Sequence, residues 1–321
     1  MSRGKRTWVF AAIILIVVGA LISAAALATM KFDFNRLSTR KTETKTYTPA
    51  GDFDELLFSL DVEELRLLPS EDGKCRVVCV EDEGTRIIVS AEGGILSVQS
   101  VDARDWFESF GVNTEKTSVT VYLPKESYGK LTLRTSTGDV FVPGDFRFKS
   151  LLMTASKADM EIRASVEESI SIQTSTGSID LGGLRASSLD LTASTGHIRV
   201  SDCEIAGKVS ARVSTGKVAF TDLKCAEAEV KTSTGNVELV RVLAAESLRV
   251  ETTTGNVRFD RSDAPEIYVE TDTGDVTGTL LSSKIFEADT DTGRVKLPRS
   301  DPGGRCTLKS DTGDFEIEIA G

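Results

Sequence analysis

The sequence predicts an all-β protein: a parallel β-helix, or β-solenoid, of about ten 19–20-residue rungs, preceded by one N-terminal transmembrane helix. Three observations predict it. A small-residue turn ending in glycine recurs at a fixed period; apolar residues alternate with polar ones at fixed offsets on both sides of that glycine; and a long uncharged run stands near the N-terminus.

The run comes first along the chain. Arg3, Lys5 and Arg6 precede it, it extends 23 residues from Trp8 to Met30, and Lys31 closes it. A helix needs ~20 such residues to cross the hydrocarbon core, and basic residues on the short N-terminal side place that end in the cytoplasm. Residues 1–30 are therefore expected to be a cytoplasmic basic stub and membrane anchor of a single-pass protein, with residues 31–321 outside the cytoplasm. A cleaved signal peptide is the rival, since Ala26-Leu27-Ala28 resembles a cleavage site, although signal h-regions usually run ~7–15 residues. Both readings export the rest of the chain. Residues 31–50, ending in the polar stretch KTETKTYTPA, read as a linker.

Residues 51–125 hold strand-like alternations (LLFSLDVEELRLL, KCRVVCV, TRIIVS, ILSVQS, SVTVYLP) and are expected to form an N-terminal β region that caps the solenoid. The segment DARDWFESFGVNTEK, Asp102 to Lys116, interrupts them with Trp106, Phe107 and Phe110. These aromatics either cover the open end of the first rung or contact a partner or the membrane surface.

Residues 126–321 carry the repeat. Its glycines are Gly138, Gly177, Gly196, Gly216, Gly235, Gly255, Gly274, Gly293 and Gly313, spaced 19 or 20 apart except for a first interval of 39. That double interval predicts a degenerate copy, and Ala158 in ASKADMEI fills the place. Seven and five residues before the corner stand apolar rows, from Leu131 and Leu133 to Cys306 and Leu308; two and four after it stand rows from Val140 and Val142 to Phe315 and Ile317, broken at Gly278. Period-two alternation marks strands with one buried face. The inward parity changes at the glycine, which is what a bend there produces. Short strands at one repeating offset stack ~4.8 Å apart into a continuous core. An antiparallel hairpin array would not place like residues at one offset in every copy.

Charge and inventory exclude several functions. The net charge is −11, which disfavours nucleic acid, because such binding rests on neutralising phosphates. His197 is the single histidine, which leaves little for histidine-based catalysis or metal sites. Five cysteines in an exported chain raise the question of disulfides. Cys75 and Cys79 lie on one strand with Cα atoms ~13 Å apart, beyond disulfide reach. Cys203, Cys225 and Cys306 fall in the register of buried small apolar residues, a common role for free cysteine. Unpaired thiols fit a weakly oxidising setting.

The recurring turn, from Thr135–Val140 to Ser310–Phe315, with its flanking alternation and the preceding VTVYLP (Val119–Pro124), resembles the bacterial putative-adhesin family known as domain of unknown function 4097. The resemblance covers roughly residues 50–321. It implies surface adhesion without a catalytic motif; Ala158 departs from the family's turn glycine.

The outward residues of the turns form ladders. Two before the glycine, hydroxyls from Ser136 to Thr253 give way to Asp272, Asp291 and Asp311, joined by Asp275 and Asp314 one past their glycines. Stacked carboxylates repel unless a cation intervenes, so they are either a Ca²⁺ site, since Ca²⁺ takes oxygen ligands of this kind, or an acidic face relieved by Arg294, which chain order places between Asp275 and Asp314. No cofactor other than this possible Ca²⁺ is expected. The main functional expectation is a non-enzymatic rod in the cell envelope that contacts a wall polymer or another envelope protein. Its alternatives are a self-assembling scaffold that stacks end-on through the last strand, FEIEI, and a membrane-linked accessory of envelope stress signalling. A polysaccharide-active enzyme is a minor alternative, because rungs held to 19 or 20 residues leave no room for the long loops that wall a cleft.

Overall fold

The computed structural model describes residues 12–21, 23, 25, 42–82, 84–102 and 117–320. Residues 12–21 are helical, and among the described residues no helix is long and apolar enough to cross a membrane. Apart from residues 23 and 25, the rest of the expected anchor lies outside the described residues, as do Trp106, Phe107 and Phe110.

From residue 127 on, successive rungs pair in parallel at the register the rows imply. Leu131, Leu151, Ile170, Leu189 and Val209 stand side by side across five rungs, as do Val140, Met160, Ile179, Ile198 and Val218. Each of these residues is 2% exposed or less. Burying one such side chain is worth roughly 1.5–3 kcal/mol, and no rung can do it alone. The parallel pairing rules out the hairpin array.

Two corners shape the central rungs. Seven glycines, from Gly138 to Gly274, hold φ between +127° and +159° at the first. A Cβ there would sit on the carbonyl oxygen of the rung below: that of Gly216 would lie 1.7 Å from Gly196 O. Ala158 keeps a negative φ, so that corner is built differently. The second bend, six residues past the glycine, is a left-handed residue: Gly183, Asp202, Asp222, Arg241 and Arg261 have φ between 47° and 66°.

Along the rod, rung order departs from chain order at both ends. Residues 53–69 form a rung beneath that of Gly138, with Leu56 beside Leu131, Phe58 beside Leu133 and Leu65 beside Val140. Glu63 stands in the corner place; its carboxylate accepts the Asp61 and Val62 N–H groups and the Ser100 hydroxyl. Ile95–Asp102 and Ser118–Leu123 form a further rung outside it, with Leu96 beside Leu56 and Val119 beside Leu65. Arg76–Asp82 and Thr85–Glu92 then pair antiparallel with this outer rung, and Thr42–Tyr47 pairs antiparallel with Arg76–Asp82. These three strands cap the N-terminal end.

At the other end, Gly304–Thr312 lies between Glu266–Thr273 and Lys284–Thr292, and Phe315–Ile319 lies between Val276–Leu280 and Val295–Lys296. The last rung in the chain is thus inserted before the penultimate one. Phe315 and Glu316 are consequently covered, contrary to the sequence expectation, while Ile317–Ile319 pair with Gly278–Leu280 alone. The open edge is Lys284–Thr292 with Val295–Lys296, continued by Ile317–Ile319. The insertion sets Lys309 between Glu270 and Asp289, which chain order would place side by side, and in the other row it sets Asp314 next to Asp275 where chain order would place Arg294. Gly303 and Gly304 let the strand enter, since a Cβ on either would lie 2.1 Å from the Ser283 or Pro265 carbonyl oxygen. Lys284, 2% exposed, closes the junction through an ion pair with Asp263 at 2.6 Å and a hydrogen bond to Ser282 at 2.6 Å.

Candidate functional site

The acidic ladder takes the inserted order. Across neighbouring rungs the carboxylates run Asp272, Asp311, Asp291, because Thr273, Thr312 and Thr292 are register partners, and all three are exposed. One past the glycine the order is Asp275, Asp314, Arg294. Asp314 donates its N–H to Asp275 Oδ1 at 2.9 Å, and Arg294 donates its N–H to Asp314 Oδ1 at 2.8 Å. The Arg294 guanidinium reaches Asp314 Oδ2 at 2.9 Å. Arg294 therefore stands outside Asp314 and not between the two aspartates, as chain order had suggested. The backbone N–H and the guanidinium of Arg294 hold the Asp314 carboxyl below the usual carboxylate range.

This contact is one step of a longer device. Asp139 accepts the Asp159 N–H, Asp159 that of Ser178, His197 Nδ1 that of Lys217, Asn236 that of Asn256, and Asn256 that of Asp275. A side-chain acceptor one past the corner thus binds the neighbouring rung's backbone, a structural use for Asp275 and Asp314. Among the described residues no group of three or more His, Cys, Asp or Glu side chains is placed to hold a metal ion.

The more extensive polar surface is the outer face of the long strands, which the sequence reading did not single out. Arg212 pairs with Asp190 at 2.9 Å, and Lys208 pairs with Glu229. Lys231 lies 3.2 Å from Glu229 and 3.1 Å from Glu251, and Arg249 binds Glu251. Arg249 also sits 4.1 Å over the Tyr268 ring, whose hydroxyl donates to Glu270 at 2.7 Å. The network links five consecutive rungs. Hydrogen bonding to Lys208 leads the effects that hold the Glu229 carboxyl down at about 2. Beside the network runs a groove of about 440 Å³, lined by Ser194, Ser214, Ser233 and Thr253 together with Arg212 and Lys231. The signal was the row four before the glycine, Arg212, Lys231, Glu251, Glu270, in which like-signed pairs follow one another.

All five cysteines are free and buried. Burial pushes the thiols of Cys225 and Cys306 up to about 12, which leaves them unreactive at neutral pH.

Crystal structures of two proteins share this architecture. A "putative adhesin" from Parabacteroides merdae has a TM-score of 0.51 and 15% identity, with 75% of this chain and 97% of that chain covered. A second, from Parabacteroides distasonis, has a TM-score of 0.50 and 15% identity, with 72% and 97% covered. At such identity the likeness is one of fold alone. No curated protein matches the sequence. The model of the Toastrack family, domain of unknown function 4097, matches residues 53–212 and 204–321, and the chain belongs to that family.

Proposed function

We propose that this protein is a non-enzymatic component of the cell surface, a rod whose long outer face contacts a wall polymer or another envelope protein. The observation that carries the reading is the set of ion pairs and the hydroxyl groove that together span five rungs. Such a face offers periodic hydrogen-bonding groups and charges to an extended ligand, with no walls to enclose a reacting bond. The names of the two fold neighbours point the same way. The apolar run Trp8–Met30, with Arg3, Lys5 and Arg6 before it, serves in this reading as the membrane anchor.

Protease treatment of intact cells, combined with sedimentation of the purified chain with isolated cell walls, tests the reading. Degradation of the rod outside the cell, and co-pelleting that Arg212→Glu with Lys231→Glu weakens, are the expected results. A rod protected in intact cells and lost only on lysis would contradict it.

A further inference from the structure

The two ends of the rod differ. Three antiparallel strands cover the N-terminal end. At the other end Lys284–Thr292 pairs on one side only, among the described residues. Its inward rows are uncovered there: Ala288 is exposed, Val295 is 50% exposed, and Phe286 and Leu297 are half-buried. Alternate residues of a strand turn their N–H and C=O groups to the same side. Phe286 donates its N–H to Ser300 Oγ at 3.1 Å, away from the paired strand, so Ala288 and Thr290 present theirs to that open side as well. The outward side chains along the edge are Glu287, Asp289 and Asp291, all exposed.

We propose that this edge accepts an extended cationic segment of a partner protein, one in which Lys or Arg alternates with apolar residues. The occupied side of the same strand shows what fits. Gly304–Thr312 pairs there in parallel, with Cys306 beside Phe286, Leu308 beside Ala288 and Lys309 beside Asp289. A partner strand of this pattern on the open side extends the apolar rows, sets cations beside the carboxylates and uses the free backbone groups. A second copy of the chain fits less well. Two such edges paired about a two-fold axis at Ala288 set Glu287 against Asp289, like charge on like. The strand Thr85–Glu92 at the far end offers one outward cation, Arg86. The inference stands whether or not the rod faces the outside of the cell.

The test uses the full chain in detergent and a labelled peptide copying residues 303–313 with Cys306→Val and Asp311→Lys, the second change removing the carboxylate that would face Asp291, beside its charge-reversed form carrying Arg305→Glu, Lys309→Glu and Asp311→Glu. Binding is followed by fluorescence anisotropy and by chemical-shift changes. The cationic peptide is expected to bind with shifts confined to Lys284–Thr292, and the reversed peptide at least about fivefold more weakly. Glu287→Lys with Asp289→Lys exchanges that preference. Ala288→Pro removes an open-side N–H at a position where an edge strand tolerates proline, and abolishes binding with Tm unchanged. Three results overturn the proposal: no binding at millimolar peptide, binding indifferent to charge reversal, or shifts in Glu266–Thr273 that report exchange with the chain's own inserted strand. Concentration-dependent self-association blocked by Ala288→Pro would assign the edge to a second copy and overturn it too.

Discussion

Replacing Gly235 with alanine probes the principle that stacks the rungs. Gly235 has φ +153°, a region closed to side chains, and an added Cβ would lie 1.9 Å from Gly216 O and 2.6 Å from its carbonyl carbon. Neither atom can yield alone. Gly216 donates its own N–H to Thr234 O at 2.8 Å, and Gly235 donates to Thr254 O at 2.9 Å, so relief of the overlap loosens ladder bonds on both sides. Backbone strain of this kind costs about 1–3 kcal/mol, and overpacking adds about 1–3 kcal/mol, for an expected loss of roughly 3–5 kcal/mol. That is a large share of the 5–15 kcal/mol typical of a domain. Because a solenoid is held by neighbour contacts, the lesion in mid-rod should also split unfolding into two steps. Urea denaturation followed by circular dichroism measures both effects. Gly73→Ala is the control: its φ is +69° and nothing lies within 4 Å of the added Cβ, so it should cost only about 1 kcal/mol. If Gly235→Ala were no worse than this control, the close approach of corner to carbonyl would not be what sets the rung geometry.

Other expectations follow from single contacts. Asp263→Asn strands the Lys284 ammonium at 2% exposure and should cost about 3 kcal/mol, whereas Lys284→Met, which leaves the better-solvated Asp263, should cost ~1 kcal/mol in the same urea assay. The Glu229 carboxyl, held at about 2 against an ordinary 4.5, stabilises the fold above pH 4.5 and loses that effect as pH falls toward 2. Glu229→Gln should therefore lower stability by about 1–2 kcal/mol at neutral pH, and the gap from the parent should close through that window in acid titrations. Asp311→Asn neutralises the middle of three stacked carboxylates and is expected to raise stability by ~0.5 kcal/mol. A Ca²⁺-dependent rise in Tm that this variant abolished would instead assign the stack to cation binding.

Much of the rod was legible because its periodicity is strict. The glycine spacing and the four apolar rows gave the register that the parallel ladders display, down to Ala158 in the corner series. The rung of 53–69 and that of Ile95–Asp102 with Ser118–Leu123 were not counted, since Glu63 replaces the corner glycine in the first and the two strands of the second lie far apart in the sequence with no repeat turn between them. Offsets fix which residues share a row and say nothing of rung order, so the inserted last rung went unseen. The clues to it were chemical: Lys309 has acidic partners on both sides only if it lies between Glu270 and Asp289, and Gly303-Gly304 frees the entry of its strand. The second bend left a faint mark in Gly183, Asp202 and Asp222, residue types that tolerate left-handed backbone, but Arg241 and Arg261 hid it. The acidic ladder was read in chain order, which misplaced Arg294 and passed over the backbone N–H groups that Asp275 and Asp314 accept.

The inserted last rung decides both the acidic ladder and the identity of the open edge, and paired cysteines test it most directly. Glu316 is the register partner of Thr277 on one side and of Lys296 on the other, and partners on adjacent strands lie within disulfide reach. Oxidation should cross-link Thr277→Cys with Glu316→Cys, and Lys296→Cys with Glu316→Cys, while the pair Thr277→Cys and Lys296→Cys, two rungs apart, stays reduced. Efficient cross-linking of that third pair, with none between positions 277 and 316, would mean that the rungs follow chain order and would contradict the account.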